Sequence, residues 1–527
     1  MIILRSLCIF LLVVLVYSSP PEDPIKCTSK NSNCVITNSY GVFPDRSICQ
    51  AAEVIYPTTE KELVAAIAKA SQENRKVKLA TRYSHSITKL VCPDGKDGLL
   101  ISTRYLNKTI EVNAASRIIT VESGVTLREV IDQAAKAGLA LPYTPYWWGL
   151  TIGGLLGTGA HGSTLWGNGS AVHDYVIGLR IVTPAGADEG YAKVISLDNS
   201  HSDMDAAKVS LGVLGAISQF ADITWYPSQK KVVYKIDNRV SVNASGNEED
   251  LESRGFADGK CIGSRLTTAT LMATGYGYSS NGLIFTGYPI VGFHNRLQAS
   301  GSCLDSRADG QTTVCPWDSR VNAEYFHQTT FSIALSNVNN FIKDVQKLRD
   351  LEPNAFCGVE LYNGILLRYV KASSAYMGKE EDAVDFDVTY YRSKDPLVPR
   401  LHGDILEEVE QLAMFKYGGI PHWGKNRNVA FDGVIKKYKR AKEFLEVKNK
   451  YDPNGLLSNE WTDQILGIKG NVQIVRDGCG LEGLCTCSED SHCAPNRGYV
   501  CRAGRVYKDA RVCTRSSSST VTTDRKL

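Results

Sequence analysis

A glycine-rich run between residues 151 and 163 constrains the fold of this chain more than any other feature. It reads Thr-Ile-Gly-Gly-Leu-Leu-Gly-Thr-Gly-Ala-His-Gly-Ser and holds five glycines. Glycine leaves backbone N–H groups uncovered, which suits a loop that surrounds phosphate oxygens. The flanking sequence, Trp147-Trp148-Gly149 before it and Trp166-Gly167 after it, lacks the helix of a Rossmann fingerprint. The run therefore predicts a phosphate-binding loop of another kind, with an ordinary glycine-rich turn as the alternative.

A second loop with a similar character follows a predicted strand at residues 77–80. It carries Arg82, Tyr83, Ser84, His85 and Ser86. Hydroxyl groups and a guanidinium are suitable partners for anionic phosphate oxygens. His85 on its own would more often be a structural or surface histidine. The loop is therefore a second candidate contact for a phosphate group.

Strands and helices alternate regularly in the first part of the chain. Thr59 and Thr126 each begin a capping-box pattern, and the two helices that follow are predicted to end near Asn74 and Gly138. Together with strands at 77–80 and 118–121, this alternation indicates an α/β unit. From about Gln229 the pattern favours a mixed sheet with covering helices, with strands at 283–286 and 385–391 and helices at 338–348 and 405–415.

The N-terminus and the cysteines indicate export. Arg5 precedes an apolar run at residues 7–16 that is too short to span a bilayer, which predicts a signal peptide over residues 1–19, with a signal anchor as the alternative. Removal of Cys8 leaves 14 of the 15 cysteines, which predicts disulfides in an oxidising compartment. We expect a secretory protein of the apoplast or vacuole, without a membrane anchor after cleavage, and glycan acceptors at Asn107, Asn168 and Asn243.

The charge and the cysteine spacing of the chain limit which partners and which metal sites can be expected. A net charge of +3 gives no reason to expect a nucleic acid partner. Six cysteines between residues 479 and 513 predict a disulfide-rich tail rather than a zinc site, because exported thiols oxidise and Cys485-Thr-Cys487 lacks zinc-ligand spacing. No metal site is predicted. Disulfide connectivity and oligomeric state stay open.

The two loops, together with Gly212-Val-Leu-Gly-Ala-Ile217, resemble the FAD-binding domain of the vanillyl-alcohol oxidase family, of the p-cresol methylhydroxylase type. The resemblance implies an α+β chain: a two-subdomain FAD-binding domain at 47–229, a mixed-sheet substrate (cap) domain at 230–470, and the disulfide-rich tail at 479–513. It implies FAD contacts from Arg82, Tyr83, Ser84, His85, Ser86, Gly154, Gly157, Thr158, Gly159, His161, Gly162, Ser163, Gly215 and Ile217.

The resemblance also bears on how the flavin is held and reoxidised. His85 lines up with the histidine that is bonded to the flavin in animal and fungal aldonolactone oxidases. This implies an 8α-histidyl-FAD, with a noncovalent flavin as the alternative. Pro145 falls where the oxidases of the family carry glycine or proline, which implies reactivity with O2.

The C-terminal half is similar to a narrower group. Pro421-His-Trp-Gly-Lys425 and Tyr451-Asp-Pro-Asn-Gly455 match the aldonolactone and alditol oxidases, and the whole chain most resembles the plant L-gulonolactone oxidase group. This implies oxidation of L-gulono-1,4-lactone, or of a close aldonolactone, with O2, giving ascorbate and hydrogen peroxide. An extracellular carbohydrate or alditol oxidase and a non-catalytic secreted binding protein are the alternatives.

The catalytic candidates implied by the resemblance are Lys425, His422, Asp387 and Arg392. Lys425 is expected to stabilise negative charge on the reduced flavin, and His422 or Asp387 to accept the proton of the substrate hydroxyl. The Glu-x-Arg pair of the family is replaced by Asp387-Val388-Thr389, with Arg392 three residues later. A regular strand would place Arg392 on the face opposite Thr389, and only a bulge would bring it back.

Overall fold

A computed structural model of the chain describes residues 22–38, 49–84, 86–94, 97–141, 144–145, 147–165, 167, 169–211, 221–226, 231–236, 276–278, 285–287, 325–358, 365–393 and 395–516.

The N-terminal domain begins with a five-stranded sheet. Its elements are β1 (Ile25–Ser29), β2 (Ser32–Ile36), β3 (Cys49–Ile55), α1 (Glu60–Gln72), β4 (Val77–Ala80) and β5 (Leu99–Ser102). The strand order is β1-β2-β3-β5-β4, and β5 runs parallel to both β3 and β4. Helix α1 is the crossover from β3 to β4, as expected for parallel strands. The predicted strand at 77–80 is confirmed.

Helix α1 begins at the predicted cap. The Thr59 hydroxyl accepts a hydrogen bond from the Glu62 backbone N–H at 3.2 Å. The Glu62 carboxylate accepts instead from the Thr58 backbone N–H at 2.7 Å, so only half of the predicted capping box forms. The buried face of the helix is made by Ala66, Ile67 and Ala70.

The second half of the N-terminal domain is built from two antiparallel hairpins and short helices. Its elements are β6 (Thr109–Asn113), β7 (Ile118–Val121), α2 (Leu127–Lys136), α3 (Ile152–Gly157), β8 (Gly178–Pro184), β9 (Ala192–Asp198) and α4 (Met204–Ala207). The capping box of α2 is complete. The Glu129 N–H donates to the Thr126 hydroxyl at 3.2 Å, and the Thr126 N–H donates to the Glu129 carboxylate at 2.7 Å.

The glycine-rich run contains a helix that the sequence analysis did not predict. Ile152–Gly157 form helix α3, which ends before the last glycine of the run, where a Rossmann helix would begin. The Thr151 hydroxyl caps this helix by accepting from the Gly154 N–H at 3.4 Å, and Leu155 and Leu156 are buried in the domain core. Burial of these apolar side chains stabilises a turn of helix that its glycines would disfavour. The remainder of the run is a loop.

The cap domain is formed around a six-stranded sheet. The strands that follow in the chain are β10 (Ala221–Tyr226), β11 (Lys231–Ile236), β12 (Tyr276–Tyr278), β13 (Phe285–Gly287), β14 (Tyr325–Ala334), β15 (Ile365–Val370), β16 (Ala383–Arg392) and β17 (Ile420–Pro421). The main sheet has the order β11-β10-β15-β16-β14-β17, with antiparallel neighbours, and β12 pairs with β13. Because β10 precedes residue 229, the cap sheet begins before the predicted domain boundary.

Helix α5 (Leu335–Leu351) covers one face of the cap sheet. The helices that follow in the chain are α6 (Gly403–Gln411), α7 (Ala441–Tyr451) and α8 (Glu460–Ile465). Phe341 of α5 packs against Phe331 and Phe386, with ring centroids 5.6 and 4.9 Å away. The predicted helices at 338–348 and 405–415 are present, the second ending in a π-helical turn. None of the helices that the structure describes has the length and apolar character needed to span a bilayer.

The tail is a small disulfide-linked unit. It contains α9 (Cys479–Glu482) and the hairpin of β18 (Tyr499–Ala503) and β19 (Arg511–Arg515). Its six cysteines all pair, as Cys479–Cys485, Cys487–Cys501 and Cys493–Cys513. These pairings agree with the predicted disulfide module and leave no thiolate among them. Two more disulfides, Cys27–Cys34 and Cys49–Cys92, lie in the N-terminal domain.

The tail docks on helix α6 through buried polar contacts. The Glu408 carboxylate, fully buried, accepts hydrogen bonds from the backbone N–H groups of Arg505 and Val506 at 2.6 Å and of Tyr507 at 2.7 Å. A carboxylate with three N–H donors is well compensated for its burial. The tail is therefore tied to the cap domain.

Candidate active site

A cavity of about 1610 Å³ lies between the N-terminal domain and the cap sheet. Its walls come from the loop after β4, helix α3, strand β8 and the cap strands β15 and β16. Pockets for drug-sized ligands are smaller, roughly 300–1,000 Å³. The cavity therefore has room for a dinucleotide together with a small substrate.

The loop after β4 and helix α3 form a close-packed cradle at one wall. A Cβ atom at Gly154 would lie 3.0 Å from Thr81 Cγ2, so the Thr81 side chain packs closely against the backbone of helix α3 at this glycine. The Ser84 hydroxyl is buried and has no hydrogen-bond partner among the described residues. A buried hydroxyl in this state suits an incoming anionic oxygen. These features fit the pyrophosphate of FAD.

Seven of the predicted cofactor contacts line the cavity: Tyr83, Ser84, Ser86, Gly154, Gly157, Thr158 and His161. They bring the two loops identified in the sequence together at one ligand site. His85, Gly215 and Ile217 lie outside the described residues.

Four other predicted contacts do not line the cavity and are corrected. Arg82 lies outside the cavity lining, with its guanidinium carbon 5.0 Å from the centroid of the Tyr83 ring. Gly159, Gly162 and Ser163 shape the loop instead of lining it. The Ser163 hydroxyl, for example, accepts from the Tyr369 N–H at 2.9 Å, which joins the loop to strand β15.

Strand β16 presents its polar residues to the cavity. It pairs with β14 without interruption from Ala383 to Arg392, so alternate residues share a face. Asp387 and Thr389 line the cavity, and Asp385 lies on the same face. The opposite face carries Phe386 and packs on α5. The strand therefore separates the reactive side chains from the core.

Asp387 is held between two cations. Its Oδ2 accepts from Arg368 Nη2 at 2.5 Å and its Oδ1 from Lys425 Nζ at 2.9 Å, and the Thr330 hydroxyl also donates to Oδ1. Burial alone would raise the pKa of Asp387, but the charges of Arg368 and Lys425 hold it well below its usual range. Asp387 is therefore ionised at any physiological pH.

Lys425 projects from a segment that contacts both domains. The Gly424 carbonyl accepts from the Ser86 hydroxyl at 3.0 Å, which joins this segment to the phosphate-type loop. Burial lowers the pKa of Lys425, and the charge of Asp387 opposes this effect. The lysine is thus a partly desolvated cation at the cavity wall, which is suited to interact with developing negative charge.

His422 is a neutral donor rather than a base. Its Nδ1 accepts from the Gly424 backbone N–H at 3.0 Å, so this nitrogen carries no proton and Nε2 does. Burial, followed by the charges of Lys425 and His161, lowers the pKa of His422 well below its usual value. The expectation that His422 accepts the hydroxyl proton is therefore corrected.

Three family models match consecutive parts of the chain. They are the FAD binding domain at residues 51–187, D-arabinono-1,4-lactone oxidase at 213–465, and the C-terminal domain of the L-gulonolactone oxidase 2-like group at 476–515. The first two carry most of the residues that line the cavity, and the third coincides with the tail.

Two Arabidopsis thaliana proteins are similar over nearly the whole chain. Probable L-gulonolactone oxidase 6 is 56% identical over 98% of this chain and 95% of its own length, and L-gulonolactone oxidase 2 is 55% identical over 96% of each. The chain belongs to the plant L-gulonolactone oxidase family. This member of the family is therefore an FAD-dependent oxidoreductase of the lactone oxidase type, and the resemblance seen in its sequence is confirmed.

A solved structure shares the fold of this L-gulonolactone oxidase family member. The solvent-stable cholesterol oxidase aligns with a TM-score of 0.58 and 14% identity, over 85% of this chain and all of that chain. At that identity the likeness concerns architecture alone, and it agrees with the predicted flavoprotein fold.

Arg392 does not reach the active site of this L-gulonolactone oxidase family member. Strand β16 contains no bulge, so Arg392 lies on the face opposite Asp387 and Thr389. Its guanidinium is buried behind the sheet and donates to the Pro396 carbonyl at 3.3 Å. Its assignment as a catalytic residue is therefore wrong.

Sequence reasoning missed Arg368, which takes the position expected of Arg392. It is a single charged residue within the apolar strand Ile365–Val370, and this pattern could have marked it as functional. Its Nη1 donates to the His161 carbonyl at 3.0 Å while Nη2 binds Asp387. Arg368 therefore connects the glycine-rich run to the catalytic strand in this L-gulonolactone oxidase family member.

Asp385 was also missed as part of this buried network. It is completely buried, its carboxylate lies 2.7 Å from His161 Nε2, and it accepts from the Ser332 hydroxyl. Burial would raise the pKa of Asp385, but the charges of His161 and Lys379 hold it well below its usual range. The carboxylate therefore fixes His161 against the cap sheet.

Proposed function

We propose that this enzyme oxidises L-gulono-1,4-lactone, or a close aldonolactone, with O2, giving ascorbate and hydrogen peroxide. The observation that carries the proposal is the array of Arg368, Asp387 and Lys425 at the wall of the cavity. A sugar lactone presents several hydroxyl groups and a carbonyl, which require convergent donors and acceptors of this kind. The names of the relatives and of the family models support the lactone class.

Each of the three side chains has a role that its chemistry allows. Asp387 is ionised and accepts a hydrogen bond from the substrate hydroxyl, which it orients. Its depressed pKa makes it a weak base, so it does not retain the hydroxyl proton. Arg368 keeps Asp387 in place and adds a donor for a lactone oxygen. Lys425 spends one of its three N–H donors on Asp387 and directs positive charge at the cavity.

The overall reaction balances without a further reactant. FAD, when bound, supplies the two-electron acceptor between substrate and O2. The lactone loses one hydrogen from carbon and one from its hydroxyl, O2 becomes hydrogen peroxide, and the resulting oxo-lactone tautomerises to ascorbate. Trp147 and Phe326 form apolar parts of the cavity wall, and Pro145 lines the same cavity, where we place the oxidase gate.

We further propose that the flavin is bonded to His85. The support is that Ser84 and Ser86, the residues on either side of this histidine, both line the cavity.

Secretion is a separate proposal. Five disulfides in the described part of the chain favour an oxidising compartment, and the acceptor residue Asn107 is exposed. Expression in a plant cell with a C-terminal fluorescent tag tests it. Fluorescence in the apoplast or vacuole that is lost on deletion of residues 1–19 supports secretion, and cytosolic fluorescence of the full chain contradicts it.

The function is tested by the visible spectrum of the purified protein and by a substrate panel. Oxygen uptake and peroxide release are measured with aldonolactones, alditols and oligosaccharides, and the lactone product is compared with ascorbate by chromatography. Turnover of L-gulono-1,4-lactone that is lost in Lys425→Ala supports the proposal. Preferential turnover of alditols or oligosaccharides makes the protein a carbohydrate oxidase, and a folded, flavin-free protein without turnover makes it a binding protein.

A further inference from the structure

The segment Gly424–Arg427 carries side chains toward two different parts of the molecule. Lys425 faces the cavity, whereas Arg427, two residues later, contacts the tail and helix α6. Asn426 between them has φ 70°, in the left-handed region that few residues other than glycine adopt. Such a conformation must be held by surrounding contacts.

Asn426 is held by strand β14. Its side-chain carbonyl accepts from the Thr330 N–H at 2.6 Å, and its side-chain amide donates to the Thr330 carbonyl at 2.8 Å. This pair of bonds fixes the sharp turn between Lys425 and Arg427. A displacement of Arg427 would therefore be transmitted to the lysine over a short, stiff stretch of backbone.

Arg427 is held in place by helix α6 on one side and by the tail on the other. Its Nη2 lies 2.5 Å from the Glu410 carboxylate of helix α6. On the other side it packs against Gly483 of the tail, where an added Cβ atom would lie 2.5 Å from Arg427 Nε. Gly483 also has φ 65°, so both space and backbone conformation require glycine there.

The tail turn that carries Gly483 is closed covalently and bonded to the same segment. The Cys479–Cys485 disulfide spans it. The Gly483 carbonyl accepts from the Val429 N–H at 3.0 Å, four residues after Lys425. The turn therefore contacts the lysine-bearing segment through one hydrogen bond and one packed guanidinium.

We propose that the disulfide-closed tail turn, residues 479–485, is a positioning element for Lys425 and acts on it through Arg427. This inference rests on the role given to Lys425 in the proposed function. It assigns to the tail a part in the reaction, although the tail itself does not line the cavity.

The test compares two glycines of the tail. Gly483→Ala adds a methyl group against Arg427, whereas Gly498→Ala adds one at another left-handed position of the tail, with φ 77°, and serves as the matched control for backbone strain. We expect Gly483→Ala to lower kcat for the lactone by about 10- to 100-fold, the size of effect that a small misplacement of a reacting group produces. KM should change little.

A second readout does not depend on turnover. Displacing the Lys425 cation should shift the midpoint potential of the bound flavin to more negative values, so Gly483→Ala should shift it in the same direction as Lys425→Ala. Glu410→Gln, which weakens the hold on Arg427 from helix α6, should do the same and carries the test if Gly483→Ala does not fold. Gly498→Ala should leave both kcat and potential unchanged.

The results that would overturn the positioning role of the tail turn can be told apart from those that would refute the proposed function. Wild-type kcat and potential in both Gly483→Ala and Glu410→Gln overturn the proposal, as do equal changes in Gly498→Ala, which would mean that the tail acts only through stability. An unchanged potential in Lys425→Ala overturns the positioning role together with the role of the lysine. Failure of the wild-type enzyme to oxidise any lactone would refute the proposed function, yet the comparison of potentials would still decide whether the turn positions Lys425.

Discussion

Arg368 and Asp387 meet across neighbouring strands of the cap sheet, with Arg368 Nη2 2.5 Å from Asp387 Oδ2. The two residues are not directly opposite each other, because Asp387 pairs with Leu366 and Arg368 pairs with Asp385. The guanidinium therefore reaches diagonally along the sheet. This contact provides, from two strands, the carboxylate and guanidinium that the resemblance led us to expect on one strand.

We expect Arg368→Lys to lower kcat/KM for the lactone by roughly 10²–10³-fold, the usual cost of losing a preorganised donor. A lysine has its three donors on one nitrogen and lacks the planar fork through which Arg368 binds the His161 carbonyl with Nη1 and Asp387 with Nη2. Arg392→Lys is the matched control on the opposite face of the adjacent strand. Steady-state kinetics should show wild-type kcat/KM for this control, and equal losses in both variants would contradict the assignment of Arg368.

Activity should fall at high pH as Lys425 loses its proton. Burial places the pKa of Lys425 below that of an exposed lysine, about 10.4. The cation, and with it the activity, is therefore present below the folded-state pKa and lost as pH rises through it. The pH dependence of kcat/KM measures this basic limb. In Lys425→Arg the residual activity should show no such limb, since arginine stays charged, and a limb that persists unchanged would exclude Lys425 as its source.

Acid precipitation should separate covalent from noncovalent flavin. If His85 carries the flavin, the yellow colour of the wild-type enzyme should remain with the precipitated protein, because a carbon–nitrogen bond survives denaturation. His85→Ala should release its flavin into the supernatant, as measured by the visible spectrum of both fractions. Release from the wild-type protein would refute the covalent bond while leaving FAD binding itself intact.

Stability should decrease between acidic and neutral pH because of Glu407 in helix α6. Burial raises the pKa of Glu407 to about 7, although Arg427 Nη1 lies 3.8 Å away, since Arg427 binds Glu410 more closely at 2.5 Å. The folded state thus binds this proton more tightly than the unfolded chain. The stabilisation that the protonated Glu407 side chain gives the folded state is fully present below the unfolded pKa of about 4.3. It is lost as pH rises through the folded pKa of about 7.

Glu407→Gln mimics the protonated side chain and should remove this part of the pH dependence. We expect it to raise the free energy of unfolding at pH 8 by on the order of 1–3 kcal/mol and to change it little at pH 4. Thermal unfolding at both pH values measures the difference. Destabilisation of the variant at pH 8 would show that the ionised carboxylate is the stabilising form.

Local features of the active site were predictable because they depend on neighbouring residues. The strand at 77–80, the cap at Thr126 and the two loops of the phosphate cradle follow from short sequence patterns. The helix within the glycine-rich run was not predictable in this way. It forms because Leu155 and Leu156 are buried in the core of the N-terminal domain, which outweighs the low helix propensity of glycine.

The sequence by itself determined the flavoprotein family, the segments that form the site and the strand face that carries Asp387, since alternation along a strand is a local property. The tertiary structure decided which arginine forms an ion pair with the Asp387 carboxylate. Arg368 and Arg392 are both single arginines on cap strands, but the antiparallel pairing of β15 with β16 brings only Arg368 to the cavity face beside Asp387. Strand order and register join residues that are distant in the chain, and they depend on the packing of the whole sheet.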